Sequence, residues 1–274
     1  MITVLKLGGE LIEDAAATRS AADAIARLAA AGPLVVVHGG GRAIDAELRA
    51  RGTEPAFVDG LRVTDAAALD AVVCVLAGRT NTALVAQIGR AGAGAVGLTG
   101  ADAQIGRSVR AGTITAVNGA QVDLGLVGRP DNVDVSLLHH LLASGYVPVI
   151  ASVGVDRSGA LLNVNADTLA GYLAAALSAR RLIIAGATPG VMDEAGRLIE
   201  RLTPEGIEAM TQSGAAHSGM VAKLAASRHA LEAGVGHVAI VAGRGVADFG
   251  AASGTLIEMD RAGSAGRRTL EAGS

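Results

Sequence analysis

Two lysines in this chain stand where an ammonium group is awkward unless it meets an anion. Lys6 lies near the end of the apolar run Ile2–Leu7 and is followed by Gly8-Gly9. Burying an ammonium without a counter-charge is expensive. Two glycines after it let the backbone approach the same anion with its N–H groups exposed. Lys223, in Ser218-Gly219-Met220-Val221-Ala222-Lys223, falls in the first turns of a helical stretch, where a positive charge opposes the helix dipole. A phosphate-facing lysine has this setting. So does an exposed helix lysine, just as a strand-end lysine can snorkel to water, and these segments alone leave both readings open.

Val35-Val36-Val37-His38-Gly39-Gly40-Gly41 is a stronger signal, because three glycines between a buried strand and a helix form an anion cradle at a helix start. It is not the dinucleotide fingerprint, whose last glycine is replaced by Ile44, and no stretch ends in the Gly-Lys-Ser/Thr of a P-loop. His38 reads as a satisfied turn histidine rather than a general base. In Gly60-Leu61-Arg62-Val63-Thr64-Asp65 an arginine precedes a helix start, and its planar fork suits a carboxylate. In Asn163-Val164-Asn165-Ala166-Asp167 two amides and a carboxylate alternate, and would share one face of an extended segment. Asp167 there could orient two ammonium groups or hold Mg²⁺ through water. An N-cap at Asn163 or Asn165 with an acidic first turn is an equally good description.

The elements that must position these residues follow from the apolar pattern. Strands are predicted over Ile2–Leu7, Leu34–Val37, around Ala95–Leu98, Tyr146–Ser152, Leu182–Ala185 and His237–Val241. Helices are predicted over about 15–31, 42–51, from an Asp65 N-cap through Leu76, 81–91, 133–143, 165–177, 204–212 and 221–233. Residues from about 105 to 128 alternate polar and β-branched types between glycines, as hairpins do. Strands separated by helices at this spacing imply right-handed crossovers and a mainly parallel sheet covered on both faces. Many of the 38 glycines fall just after these strands, where α/β proteins place ligand-binding turns.

Composition removes other classes. A net charge of −3 and a 1% share of aromatics argue against a nucleic-acid or anionic-membrane partner and against stacking platforms. A single cysteine, Cys74, permits neither an intramolecular disulfide nor a thiolate zinc site. There is no basic-then-apolar leader pattern at the start, and the apolar stretches read as broken before the ~18 residues of a membrane span. A cytoplasmic protein is the expectation.

Taken in order, KLGGELI, VVVHGGGRAI, GLRVTD, VVCVLAGRTN, DLGLVG, GYVPVIASVG, LLNVNADTLA and GMVAKLAAS resemble the amino acid kinase family over about residues 2 to 258. Within it they are most similar to the kinases of N-acetyl-L-glutamate; GLRVTD together with NVNAD is the specific part. The resemblance implies an α/β fold, a three-layer αβα sandwich with a mainly parallel central sheet, in a single domain over 1–274. An N-terminal lobe of about 1–180 would bind substrate and dimerise. A C-terminal lobe of about 181–260 would bind nucleotide, and 261–274 would form a flexible tail. The implied reaction is transfer of the γ-phosphoryl of ATP, with Mg²⁺, to the side-chain carboxylate of N-acetyl-L-glutamate in arginine biosynthesis.

By motif, Lys6 and Lys223 match the lysines that stabilise the transferred group, and Asp167 the carboxylate that positions both. Gly40, Gly41, Arg62 and Asn163 match substrate-binding positions, with Arg62 on the α-carboxylate. Gly8, Gly9, Ala187, Gly190, Val191, Met192, His217 and Gly219 match nucleotide-binding positions, and no residue is assigned as a resident metal ligand. Two departures stand out. Ala187 replaces the acid the family usually carries there, and Glu10 adds a negative charge beside the first glycine loop. A related acyl-amino-acid kinase, or a ligand sensor without turnover on the same fold, are the alternatives; the presence of Lys6, Lys223 and Asp167 weighs against the second. Arginine-inhibited hexameric members carry an extra N-terminal helix, and a strand starting at Ile2 suggests a homodimer insensitive to arginine.

Overall fold

The computed structural model describes residues 1–116, 119–214 and 218–260. The strand β1 (Thr3–Leu7) sends Val4 and Lys6 to one face of the sheet and Leu5 and Leu7 to the other, by the two-residue period of a strand. Its parallel neighbours are β2 (Leu34–His38) and β5 (Arg181–Gly186), and beyond β2 lie β4 (Val147–Ala151) and β3 (Ala95–Thr99). On the other side of β5 come β7 (His237–Ala242), β8 (Gly254–Ile257) and β6 (Arg201–Leu202). The order is β6-β8-β7-β5-β1-β2-β4-β3, and every neighbouring pair is parallel except β7 with β8.

Helices cover both faces. Leu5, Leu7, Val36, Val149 and Ile183 pack with Ile25 and Leu28 of the helix Ala15–Ala30 and with Leu84 and Ile88. Val4, Val37, Ile150, Leu182 and Ile184 pack with Leu169 and Leu173 of the helix Ala166–Ala176 and with Leu224 and Leu231 of the helix Ser218–Glu232. The expected three-layer sandwich is therefore present, and Lys6 faces the layer that contains the helix Ala166–Ala176. Beside the main sheet, Ser108–Arg110, Val127–Pro130, Leu161–Val164 and Val153–Val155 form a second small sheet, and Thr113–Thr115 pairs with Gln121–Asp123 in the hairpin region foreseen from the glycine spacing.

Three readings need correction: two strands were missed, two helices are one, and that helix is an apolar stretch not broken before the ~18 residues of a membrane span. The strands β6 and β8 were not predicted; β6 has only two residues and β8 only four, too short to show a period. The two helices expected on either side of Leu76 are one helix, Ala66–Arg90, continued through Gly78 by a π-helical stretch over Cys74–Thr80. That helix, at 25 residues, is long and apolar enough by length and composition to cross a membrane. Here Val72, Val75 and Leu76 are buried with Ile44 and Leu48, and Leu84 and Ile88 lie under the Ala15–Ala30 helix. The predicted tail over 261–274 lies outside the described residues.

Candidate active site

The carboxyl ends of β1, β2 and β5 meet where the chain leaves β1 for β2 on one side and returns as β5 on the other. In open α/β sheets this is where ligands bind. Gly9 follows β1 and Gly40 follows β2, and the two touch: a Cβ added to Gly9 would lie 2.8 Å from the Cα of Gly40. Only a residue without a side chain lets the two loops come this close. Gly40 caps the helix Gly41–Ala50, whose first N–H groups are left for a ligand.

Between these loops and the start of the helix Ala166–Ala176 lies a cavity of about 250 Å³, whose wall includes Lys6, Gly9, Gly40, Gly41, Arg62, Asn163 and Asp167. Asp167 holds both lysines. Its Oδ1 is 2.9 Å from Lys6 Nζ and its Oδ2 is 3.8 Å from Lys223 Nζ. Lys6 and Asp167 are only 6% and 5% exposed, so the pair is largely withdrawn from water. The Lys6 contact is an ion pair off the line of a hydrogen bond, since Oδ1 accepts none. Lys223 Nζ also donates to the carbonyl of Gly219, 3.2 Å away in its own helix.

Of the two readings of this segment, the alternating face of Asn163, Asn165 and Asp167 does not form and the N-cap at Asn165 with an acidic first turn does. The strand Leu161–Val164 ends first, and Asn165 caps the helix by accepting from Thr168 N–H at 3.0 Å. Asp167 reaches the cavity from the first helical turn instead. Asn163 stays on the strand and donates to Thr64 Oγ1 at 3.0 Å; Thr64 donates in turn to the Arg62 carbonyl.

Arg62 is buried, with its guanidinium 4.7 Å above the centre of the Phe57 ring. Its Nη2 is 2.5 Å from Asp45 Oδ1 and 3.2 Å from the Gly41 carbonyl. Its Nη1 is buried with no hydrogen-bond partner. A buried donor of a charged group left unpaired is costly, and an anionic ligand in the cavity would satisfy it. Asp45 and Thr64 escaped the sequence reading. Asp45 is one helical turn past Gly41, a spacing that by itself says nothing of Arg62.

His38 is not a base. It is fully buried, and burial lowers its pKa to about 4, so the ring is neutral near pH 7. Its Nδ1 lies 3.1 Å from the Gly39 carbonyl and its Nε2 3.0 Å from the Asn81 amide. The consistent tautomer donates from Nδ1 and accepts at Nε2.

The nucleotide-side expectations divide. Gly8 N–H bonds the Ala185 carbonyl at 2.8 Å, which ties β1 to β5 at their carboxyl ends. Ala187 N–H donates to Glu10 Oε1 at 2.8 Å. The acid at 10 thus meets the backbone at 187. Gly219 is exposed at the start of its helix. Gly190, Val191 and Met192 are not brought into the cavity. Gly190 has φ +150° and packs against Leu198 and Thr255, Val191 N–H donates to Thr255 Oγ1, and Met192 pairs with Leu198. His217 lies outside the described residues.

Among the described residues no three His, Cys, Asp or Glu side chains gather as a metal-ligand group. A Mg²⁺ that arrives on a polyphosphate needs only one or two carboxylates, with phosphate oxygens and water as the rest. Glu10, also on the cavity wall, could meet that need, whereas Asp167 already faces two lysines.

Comparison with known proteins bears on the family. A model of the amino acid kinase family matches residues 1–242. The chain is 41% identical over 246 residues to the acetylglutamate kinase of Erythrobacter litoralis, covering 88% of this chain and 82% of the relative. To the acetylglutamate kinase of Methanopyrus kandleri it is 41% identical over 234 residues, covering 84% of this chain and 91% of that one. Among solved structures, smu.665 from Streptococcus mutans superposes with a TM-score of 0.79 at 26% identity, over 94% of this chain and 99% of that one.

Proposed function

The chain belongs to the amino acid kinase family, and from that premise we infer its reaction: ATP-dependent phosphorylation of the side-chain carboxylate of N-acetyl-L-glutamate, an acetylglutamate kinase activity in arginine biosynthesis. The observation that carries this reading is Asp167 set between Lys6 and Lys223 in a cavity whose wall also holds Arg62 with an unpaired buried Nη1.

The chemistry asks for little beyond position and charge. The nucleophile is a carboxylate, ionised near pH 7, so no proton has to be removed and no general base is needed. A carboxylate oxygen forms the new bond to the γ-phosphorus as the bond to the β,γ-bridging oxygen breaks, and ADP leaves with that electron pair. The transferring group is a loose, metaphosphate-like anion. Lys6 and Lys223 neutralise it from preorganised positions, and Asp167 keeps both ammonium groups in place beforehand. Gly9 and Gly40, in contact, let backbone N–H groups approach the phosphate. Arg62 Nη1 takes the α-carboxylate, while Asp45 and the Gly41 carbonyl hold the rest of the fork. Asn163, held by Thr64, takes a polar group of the substrate. Glu10 would hold Mg²⁺, which when bound neutralises phosphate charge.

In this reading residues 1–180 carry the amino-acid site and 181–260 the nucleotide site. We propose that the protein works as a cytoplasmic homodimer; the open, half-exposed edge strand β3 leaves a sheet edge for a second copy. The test of the reaction is an assay of ADP release with N-acetylglutamate, N-succinylglutamate and free glutamate side by side. Turnover with the first alone supports the assignment; preference for the second transfers it to a related acyl-amino-acid kinase. Nucleotide and substrate binding without ADP release would make the protein a sensor.

A further inference from the structure

Glu10 is the acid on this cavity wall that makes no ion pair with a lysine or arginine among the described residues. Asp167 has two lysines and Asp45 has Arg62, whereas no Lys or Arg nitrogen among the described residues is paired with Glu10. Its place is nonetheless well defined. Oε1 accepts from Ala187 N–H at 2.8 Å. The carboxylate lies flat against Gly8, where a Cβ would come within 2.4 to 2.6 Å of its three terminal atoms. On the other side it borders Gly186, whose added Cβ would be 3.1 Å from Oε1 and 3.8 Å from Lys223 Cε. Two bare glycine backbones and one N–H thus hold a carboxylate between the loop after β1 and the loop after β5. Its second oxygen takes no hydrogen bond from a described residue.

An unpaired negative charge here opposes a metal-free polyphosphate, because like charges a few ångströms apart repel by an amount worth about an order of magnitude or more in an equilibrium constant. It favours the same polyphosphate carrying a divalent cation, for which a carboxylate is the preferred protein ligand. We propose that Glu10 is the metal-facing carboxylate of the nucleotide site, and that its charge makes nucleotide binding depend on Mg²⁺. This rests on the kinase reading above. It assigns to Glu10 the coupling of metal to nucleotide, not a share in phosphoryl transfer. Coupling between two ligands is reciprocal, so Glu10 raises the affinity for Mg²⁺ when nucleotide is bound by the factor that Mg²⁺ raises the affinity for nucleotide.

The test is the affinity of ADP measured by titration calorimetry, with Mg²⁺ and with EDTA, for the wild type and for Glu10→Gln. Glutamine keeps the side-chain length and an oxygen to accept from Ala187 N–H, so only the charge changes. The expected result is a metal-dependence ratio reduced roughly tenfold, with metal-free binding tighter and Mg²⁺-supported binding weaker. Glu10→Ala should reduce the ratio by a similar factor, and it serves if the glutamine variant does not fold. With Mn²⁺ in place of Mg²⁺, the electron spin resonance spectrum of the bound Mn²⁺–ADP should differ between wild type and Glu10→Gln. An unchanged ratio in both variants overturns the proposal, as does a gain in affinity that is equal with and without metal, which would make Glu10 a plug in an anion site. If the wild type binds no ADP under either condition, the kinase reading itself falls, and this inference falls with it.

Discussion

Asp45 Oδ1 lies 2.5 Å from Arg62 Nη2, and this contact decides which nitrogen of the guanidinium is left for a ligand. With Nη2 held by Asp45 and the Gly41 carbonyl, Nη1 is buried and unpaired. In the proposed reaction Arg62 grips substrate in ground and transition states alike, with Asp45 acting through it as a positioning residue. Arg62→Ala should mainly raise KM for N-acetylglutamate, by roughly 10- to 100-fold for a lost charge-assisted contact, with kcat much less affected. Arg62→Lys should rescue only in part, since a point charge lacks the fork. Asp45→Asn should raise the same KM by a smaller factor, roughly three- to tenfold. Steady-state titrations of the three variants check this, and an unchanged KM in Arg62→Ala would remove the residue from the substrate site.

Lys6 and Lys223 should show the opposite signature. In the proposed reaction each meets charge that develops during transfer, so Lys6→Ala and Lys223→Ala should lose kcat and kcat/KM together, by about 10²- to 10³-fold. Asp167→Asn should be at least as damaging. It leaves two ammonium groups near one another without the charge between them, one of them buried. A drop in melting temperature should accompany its loss of turnover, whereas Lys223→Ala, at a side chain 17% exposed against 8% for Lys6, should perturb stability least. Near-normal turnover in either lysine variant would place that residue outside the reaction.

Much of this site was legible because strand parity and glycine spacing are local. Lys6 shares the parity of Val4, so a buried β1 had to aim it at one helical layer. The glycines after β1 and β2 marked the loops that touch. What was not legible came from pairings across the sheet. The contact of Glu10 with Ala187 joins residues 177 apart in the chain, and that of Asn81 with His38 joins residues 43 apart. Neither has a period or a motif to announce it. Asp167 was found by type, and of its two possible backbones the helical one formed: Asn165, as N-cap, turned the chain into a helix one residue after the strand ended. The strand β8 was missed because Gly254–Ile257 is short and is recruited by pairing with β7 rather than by its own pattern.

Two glycines of the site should answer differently to the same change. In Gly9→Ala the new methyl would lie 2.8 Å from the Cα of Gly40, a backbone atom that cannot rotate away. The two loops must part, at a cost of about 1–3 kcal/mol for an overpacked contact. Both melting temperature and kcat should fall. In Gly41→Ala the methyl meets nothing within 4 Å, yet it sits on the cavity wall beside Arg62. The melting temperature should stay where it is while KM for the amino-acid substrate rises. Thermal melts and substrate titrations of the two variants separate these outcomes, and a Gly41→Ala enzyme with unchanged KM would show that substrate does not approach that backbone.

His38 should make the fold sensitive to acid and leave the reaction untouched. Its Nε2 accepts from Asn81, whose amide also donates to the Val149 carbonyl at 2.9 Å, so a proton on Nε2 would set donor against donor in a dry site. Burial accordingly holds the folded pKa at about 4, whereas the imidazole of the unfolded chain titrates near 6.5. Between these values the unfolded chain binds the extra proton, so stability must fall as pH falls through that window. The contribution is complete above about 6.5 and lost by about 4, and the full span is worth roughly 3 kcal/mol. Urea unfolding at pH 8, 6 and 5 should therefore show the wild type losing roughly 2 kcal/mol more than His38→Gln by pH 5. The same ring should leave no limb near pH 6.5 in the kcat profile, because it neither gives nor takes a proton there. Parallel stability curves for the two proteins, or a rate limb near 6.5 that vanishes in His38→Gln, would show that the ring titrates in the native state and that the Asn81 contact does not keep it neutral.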